Sequence, residues 1–172
     1  MVPAEKLAWM AAILDMQGRI HRKDNLTRAT PQLVLRVDSS YLSVIRELCR
    51  LTDSNAEPRP PRPGKEWDKR GCAEHCGEAH IHCEIGVQPS TGRWTLTGAA
   101  AAVVLFNVIP FMVTDRGMED MMNEALENVN LAGRAGNGAR QAVQRLARLG
   151  WELPEKIAGQ AAEIGLEVTV GV

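Results

Sequence analysis

Leu7-Ala-Trp-Met-Ala-Ala-Ile-Leu-Asp15-Met-Gln17-Gly18-Arg-Ile20 is the stretch on which the fold turns. Leu7, Met10, Ala11 and Leu14 recur at helical spacing and form one apolar stripe, which predicts a helix over 4–16. Pro3 suits its start, because the fixed φ of proline is helical and its missing N–H would find no partner there anyway. Ala8, Ala11 and Ala12 make the helix thin on one side, so that a second helix can come close. Gly18 ends the helix, and the chain continues as a strand around Ile20.

Outward from this stretch, helices and strands follow in turn. Asp24, Asn25 and Thr27 suit a hairpin turn. Residues 32–38 alternate, with Leu33, Leu35 and Val37 on one face and Gln32, Val34 and Arg36 on the other, which predicts a strand covered on one side. Ser39 or Ser40 suits the cap of a helix over 41–51, striped by Leu42, Ile45, Leu48 and Cys49. Pro58, Pro60, Pro61, Pro63 and Gly64 then exclude a regular helix or a central strand. Ile81, Cys83, Ile85 and Val87 alternate as a strand over 80–87, and a short strand follows over 93–97. A strongly apolar helix begins at Gly98 and Ala99 and runs through Phe106 and Val108, and Pro110 kinks or ends it. Asp115 is placed to cap a helix over 117–128, and a further helix is expected over 139–149. Trp151 and Leu153 can fold back on the core, and 166–172 is either an edge strand or a mobile end. Four strands with helices on one face make an α+β core.

Composition excludes several classes. The chain has 172 residues, 45% of them hydrophobic and 24% charged, enough for one ordinary core. No stretch approaches the roughly 20 apolar residues of a membrane span, and the start lacks a signal-peptide layout. Four cysteines do not make a disulfide scaffold and leave metal binding open. Formal charge is -1, against a uniformly basic nucleic-acid coat. The charge is unevenly spread, however. Residues 19–70 hold 12 basic and 7 acidic groups, a net of +5, whereas 94–172 hold 6 and 9, a net of -3. Such asymmetry suits a phosphate-facing surface and equally an ordinary solvated face.

Met10-Ala-Ala-Ile-Leu-Asp15-Met-Gln17-Gly18 resembles the nonapeptide of the LAGLIDADG homing endonucleases. The order helix-strand-strand-helix-strand-strand-helix is that family's core. Trp94-Thr-Leu-Thr-Gly-Ala-Ala, followed by Leu105-Phe-Asn-Val-Ile-Pro-Phe-Met-Val113, looks like its closing strand and helix. The resemblance spans about residues 5–128. It implies an α-β-β-α-β-β-α core over 4–130, with 131–172 as a C-terminal helical extension or tail. It also implies a homodimer on a pseudo-palindromic duplex, because a single motif supplies half a site. Ala8, Ala11 and Ala12 would bring the two motif helices together. In the family, an acid before the terminal glycine holds divalent metal at the scissile phosphates.

Here that acid is Gln17, a neutral amide whose carbonyl can meet Mg²⁺ but lacks the charge that secures a hard cation. Asp15 is the motif's other acid, mostly structural in the family. Either Gln17 works with a phosphate or a shifted Asp15, or cutting is lost and DNA binding remains. Family catalytic support from a basic residue after the last core helix falls nearest to Arg116. The catalytic set implied by the resemblance is therefore Asp15, Gln17 and Arg116, with Mg²⁺ if the chain cuts.

Strand alternation supplies the candidate DNA-reading residues. They are Arg19, His21, Arg22 and Lys23 on or beside the first ribbon, Gln32 and Arg36 on the second strand, His82 and Glu84 on the third, and Arg93, Thr95 and Thr97 on the fourth. Arginine and glutamine suit base edges, while lysine mainly meets phosphate. Arg59, Arg62, Lys65, Lys69 and Arg70 on the Pro-rich loop suit flanking backbone, or simply solvent.

A second cluster lies at 72–83, where three of the four cysteines and three of the four histidines fall within 12 residues. Cys72, Cys76 and His80, with His75, His82 or Cys83 as fourth ligand, match zinc's preference for thiolate and imidazole. A structural Zn²⁺ would fasten the loop 56–80 to the sheet edge. Alternatively Cys83 packs as a small hydrophobe on its strand, as Cys49 does on its helix.

Three functions follow from these residues. The first is a homing-endonuclease-type DNA-binding protein, cutting or not. The second is a non-cutting repressor-like or structural product of a phage or mobile element. The third is a zinc-stabilised protein-interaction module. The DNA readings place the chain in the bacterial or phage-infected cytoplasm, or wherever its target DNA resides.

Overall fold

The computed structural model describes residues 1–23, 31–55, 57–58, 92–114, 117–133 and 136–166. Helix α1 (Ala4–Gln17) takes its first backbone bonds on the Pro3 carbonyl, from the N–H groups of Lys6 and Leu7. It passes directly into strand β1 (Gly18–Lys23). Gly18 is extended and donates its N–H to the Leu14 carbonyl. A Cβ at Gly18 would sit 2.4 Å from that oxygen, so any other residue would have to displace the helix end. The glycine read from the sequence as a helix stop is thus required by a close approach of backbone to backbone.

Strand β2 (Gln32–Ser39), helix α2 (Leu42–Thr52), strand β3 (Glu57–Pro58) and strand β4 (Gly92–Thr97) follow. Helix α3 (Gly98–Val108), a 3-10 turn (Ile109–Phe111), and helices α4 (Met118–Glu127), α5 (Asn137–Arg148) and α6 (Glu155–Glu163) complete the order. The four strands form one sheet in the order β1-β2-β4-β3. The fold is α+β, as expected. The expected strand over 80–87 and the turn at Asp24, Asn25 and Thr27 lie outside the described residues, as do 167–172. Nothing in the sequence predicts strand β3, because prolines crowd that segment. It occupies a sheet edge, where a residue without an N–H is tolerated. It runs antiparallel to β4, with Glu57 opposite Arg93 and Pro58 opposite Gly92.

The chain divides into two compact units, Met1–Arg36 with Leu96–Val172, and Val37–Thr95. The first unit is built round α3. Every residue from Ala99 to Leu105, and Val108, is buried. A helix apolar on all sides needs a partner on each of them, and α1, α4 and α5 all pack against it. They contribute Met10, Ala11 and Leu14, then Met118, Met122, Ala125 and Leu126, then Val143, Leu146 and Ala147. The alanines of α3 keep these helices close.

Residues after 131 belong to this unit. Two side-chain amides tie them in by mimicking peptide groups. Asn107 Nδ2 donates to the Glu152 carbonyl at 2.8 Å while its Oδ1 accepts the Glu152 N–H at 3.2 Å. Gln160 Oε1 accepts the Leu131 N–H and its Nε2 donates to the Val129 carbonyl, both at 2.9 Å. Trp151 is buried, as its fold-back on the core requires. Helix α4 starts at Gly117, in the left-handed region, whose carbonyl accepts the Met121 N–H at 3.1 Å. Asp115, the expected cap, lies outside the described residues.

The second unit is built round Trp94, which is fully buried. Its Nε1 donates to Thr52 Oγ1 at 3.1 Å, and Thr52 in turn donates to the Leu48 carbonyl at 2.7 Å. Thus one threonine on α2 resolves the polar end of a buried indole. Ile45, Leu48 and Leu51 line the same helix face. A Cβ on Gly92 would meet Ile45 and Leu42 at about 3.1 Å, so β4 lies tight on α2. Ser39 Oγ accepts the Tyr41 N–H at the head of that helix. Cys49 is only half-buried. Burial pushes its thiol pKa up, against a smaller opposing effect of a hydrogen bond with Ser54.

Candidate functional site

The pleat of β1 sorts its residues onto two faces. Arg22 points to the helix side, where its Nη2 pairs with Glu124 Oε1 of α4 at 2.6 Å. Arg19, His21 and Lys23 fall on the opposite face by period-two alternation, and all three are exposed. The sequence alone groups Arg22 with them. Its partner on α4 separates it from that set.

Within the first unit, Gln32 and Arg36 lie on the face of β2 opposite the buried Leu33 and Leu35. Arg36 is half-buried and already engaged. Val34, expected on the same face, is buried as well. Thr97 is exposed at the end of β4. Beside it Gly98 adopts φ +59, and Gln32 Nε2 lies 3.8 Å from where its Cβ would be.

In the second unit, Gly92 and Trp94 face α2, so Arg93 and Thr95 face away from it. Val37 and Ser39 are buried, and Asp38 between them shares the Arg93 face. Arg93 Nε donates to Asp38 Oδ1 at 2.8 Å. Thr95 Oγ1 is buried and has no hydrogen-bond partner among the described residues. Asp38 is absent from the sequence-derived candidates, which take only Gln32 and Arg36 from this strand. The period-two step from Arg36 is the signal that points to it.

Asp15 and Gln17 occupy the end of α1. Asp15 Oδ2 accepts the Val113 N–H at 2.8 Å, and Oδ1 accepts the Thr114 N–H at 3.4 Å together with the Thr114 hydroxyl. The carboxylate therefore fastens the segment after the 3-10 turn to the helix end, a structural use of the kind the sequence allowed. Gln17 is half-exposed. On the outer side of α1, Ala8, Ala12 and Met16 stand exposed in line at i, i+4 and i+8, with Met16 at 76%. Ala11 does not join them. It is fully buried within its own unit and cannot stand in a surface contact. Phe111 and Val113, in and after the 3-10 turn that packs on α1, are exposed too.

Arg116, His82 and Glu84 lie outside the described residues, as does the cluster Cys72, His75, Cys76, His80 and Cys83. Among the described residues, no group of three or more His, Cys, Asp or Glu could hold a metal ion. Also among them, no helix is long and apolar enough to cross a membrane.

No family model and no curated protein matches the chain. Among solved structures it is similar to the homing endonuclease I-CvuI in complex with its target in the presence of 2 mM Ca, over 94% of this chain and 95% of that one, at 14% identity and a TM-score of 0.46. A second structure of I-CvuI, in complex with the I-CreI target in the presence of 2 mM Mg with the DNA not cleaved, has the same coverage and TM-score at 13% identity.

Proposed function

We propose that this chain binds double-stranded DNA through the sheet face turned away from its helices, as a homodimer on a pseudo-palindromic site. The reading follows the LAGLIDADG resemblance of residues 10–18. The observation that carries it is the sorting of β1. Arg22 is neutralised by Glu124 on the helix side, while Arg19, His21 and Lys23 are left together and exposed on the other. A two-stranded ribbon fits the major groove, and exposed cations meet phosphate there. The exposed Ala8 and Ala12, one turn apart, suit close approach of a second α1, which supports the dimer.

The residues at the end of α1 do not fit Mg²⁺. Gln17 brings no charge, and the Asp15 carboxylate already serves Val113 and Thr114. A hard cation needs anionic oxygen to offset its dehydration. The proposal is therefore binding without cutting, and no cleavage step is assigned to these residues. A structural Zn²⁺ on the ligands drawn from Cys72, His75, Cys76, His80, His82 and Cys83 remains part of the proposal. So does action wherever the target DNA resides.

Selection of duplexes from a random pool tests the reading. Bound winners with two-fold symmetry, left intact in Mg²⁺ and Mn²⁺, are the expected result. Failure to enrich any duplex overturns DNA binding, and cleaved winners overturn the non-cutting reading. Light scattering should give twice the chain mass. Zinc should be present in the purified chain and fall when Cys72 and Cys76 become Ser.

A further inference from the structure

We infer that Asp38 is a positioning residue for Arg93, and that the pair reads one guanine in each half-site. This rests on the DNA-binding reading above. Arg93 is the second residue of β4, on the side away from α2, and its Nε–H is held by Asp38 at 2.8 Å. That bond sets the plane of the guanidinium and takes one of its two donor edges. Nη1 and Nη2 have no partner among the described residues, and they form the end-on fork that matches O6 and N7 of guanine. The two side chains are 23% and 13% exposed. Little water competes for the pair, so the arginine stays in one orientation, whereas a solvated arginine must be ordered at each binding event.

Local charge distinguishes base reading from phosphate binding. Arg19 and Lys23 carry charge that phosphate attracts at any sequence. Arg93 and Asp38 sum to zero, so a phosphate gains little there and is repelled by the carboxylate. What a neutral pair retains is the direction of its donors, which is what discriminates one base edge from another. The expected signature is base preference with almost no share of the salt dependence.

The test selects duplexes from a random pool with the native chain, Asp38→Asn, Arg93→Ala and Arg93→Ala/Asp38→Asn at one salt concentration, and then measures the affinity of the winning duplexes over a salt series. The native chain should prefer guanine at one position of each half-site by about tenfold or more. Asp38→Asn should flatten that position and, by freeing the Arg93 charge for phosphate, should raise the slope of log affinity against log salt by up to about 0.9. The double variant removes both members of the ion pair, and like Arg93→Ala it should lack the guanine preference at that position. A native site enriched equally well by Asp38→Asn, with the same profile, overturns the positioning role and leaves DNA binding standing. A guanine preference at that position kept by the double variant also overturns it, because Arg93 would then not be its reader. If the native chain enriches nothing, both readings fall.

Discussion

Strands β1 and β4 are each six residues long, each alternate, and each carry arginine on the side away from the helices. They differ in what surrounds that arginine. β1 is an edge strand, and its last three residues are all exposed. β4 has strands on both sides, and every second residue from Gly92 to Leu96 is buried. An arginine on β1 can stay in water. Arg93 is largely out of water and is matched by a carboxylate instead. The same alternation thus yields diffuse positive charge in one place and a fixed set of donors in the other. Burial, rather than residue type, makes the difference.

Breaking the β4 side should have the largest effect. Trp94→Ala removes the largest buried side chain of the second unit and the donor that Thr52 receives. A loss of about 3–5 kcal/mol in urea unfolding is expected, together with loss of the Arg93 preference in selected duplexes. Gly18→Ala attacks the entry to β1. Its Cβ would press on the Leu14 backbone, and about 1–3 kcal/mol of stability should be lost, as for other overpacked sites. Unlike the first variant, it should weaken binding without changing which bases are preferred.

Arg19→Ala/Lys23→Ala tests the diffuse side directly. Each phosphate that is no longer neutralised should lower the slope of log affinity against log salt by about 0.9, so a drop of about two is expected with the base profile kept. Arg22→Ala should do least. Its ion pair with Glu124 is largely exposed, a class that contributes roughly 0–1 kcal/mol. A salt slope that falls with Arg22→Ala as much as with Lys23→Ala would erase the distinction between the two faces of β1.

Much of the fold is legible in the residues themselves. Leu7, Met10, Ala11 and Leu14 mark α1, the alternation of 32–38 marks β2, and Pro110 marks the end of α3, because periodicity and punctuation are local. The 3-10 turn at Ile109–Phe111 and the edge strand at Glu57–Pro58 are not legible, since each depends on a neighbour far along the chain. The candidate site is legible by strand but not by side. Arg19, Arg22 and Lys23 look alike in sequence, and only Glu124 on α4 separates them, 102 residues from Arg22. Asp15 shows the same limit. Its place in the motif is plain, but its partners Val113 and Thr114 lie 98 and 99 residues away.

By itself, then, the sequence determined the order of helices and strands, the glycine at the α1–β1 junction, and the neutral amide at position 17. These follow from backbone sterics, side-chain period and the charge of a single group, all of which act within a few residues. Only the tertiary structure decided that Ala11 faces inward while Ala8 and Ala12 face out, that Asp15 is an anchor, and that Arg93 is paired. Each of those depends on which distant surface removes water from the side chain, and desolvation is a property of packing that no local pattern carries.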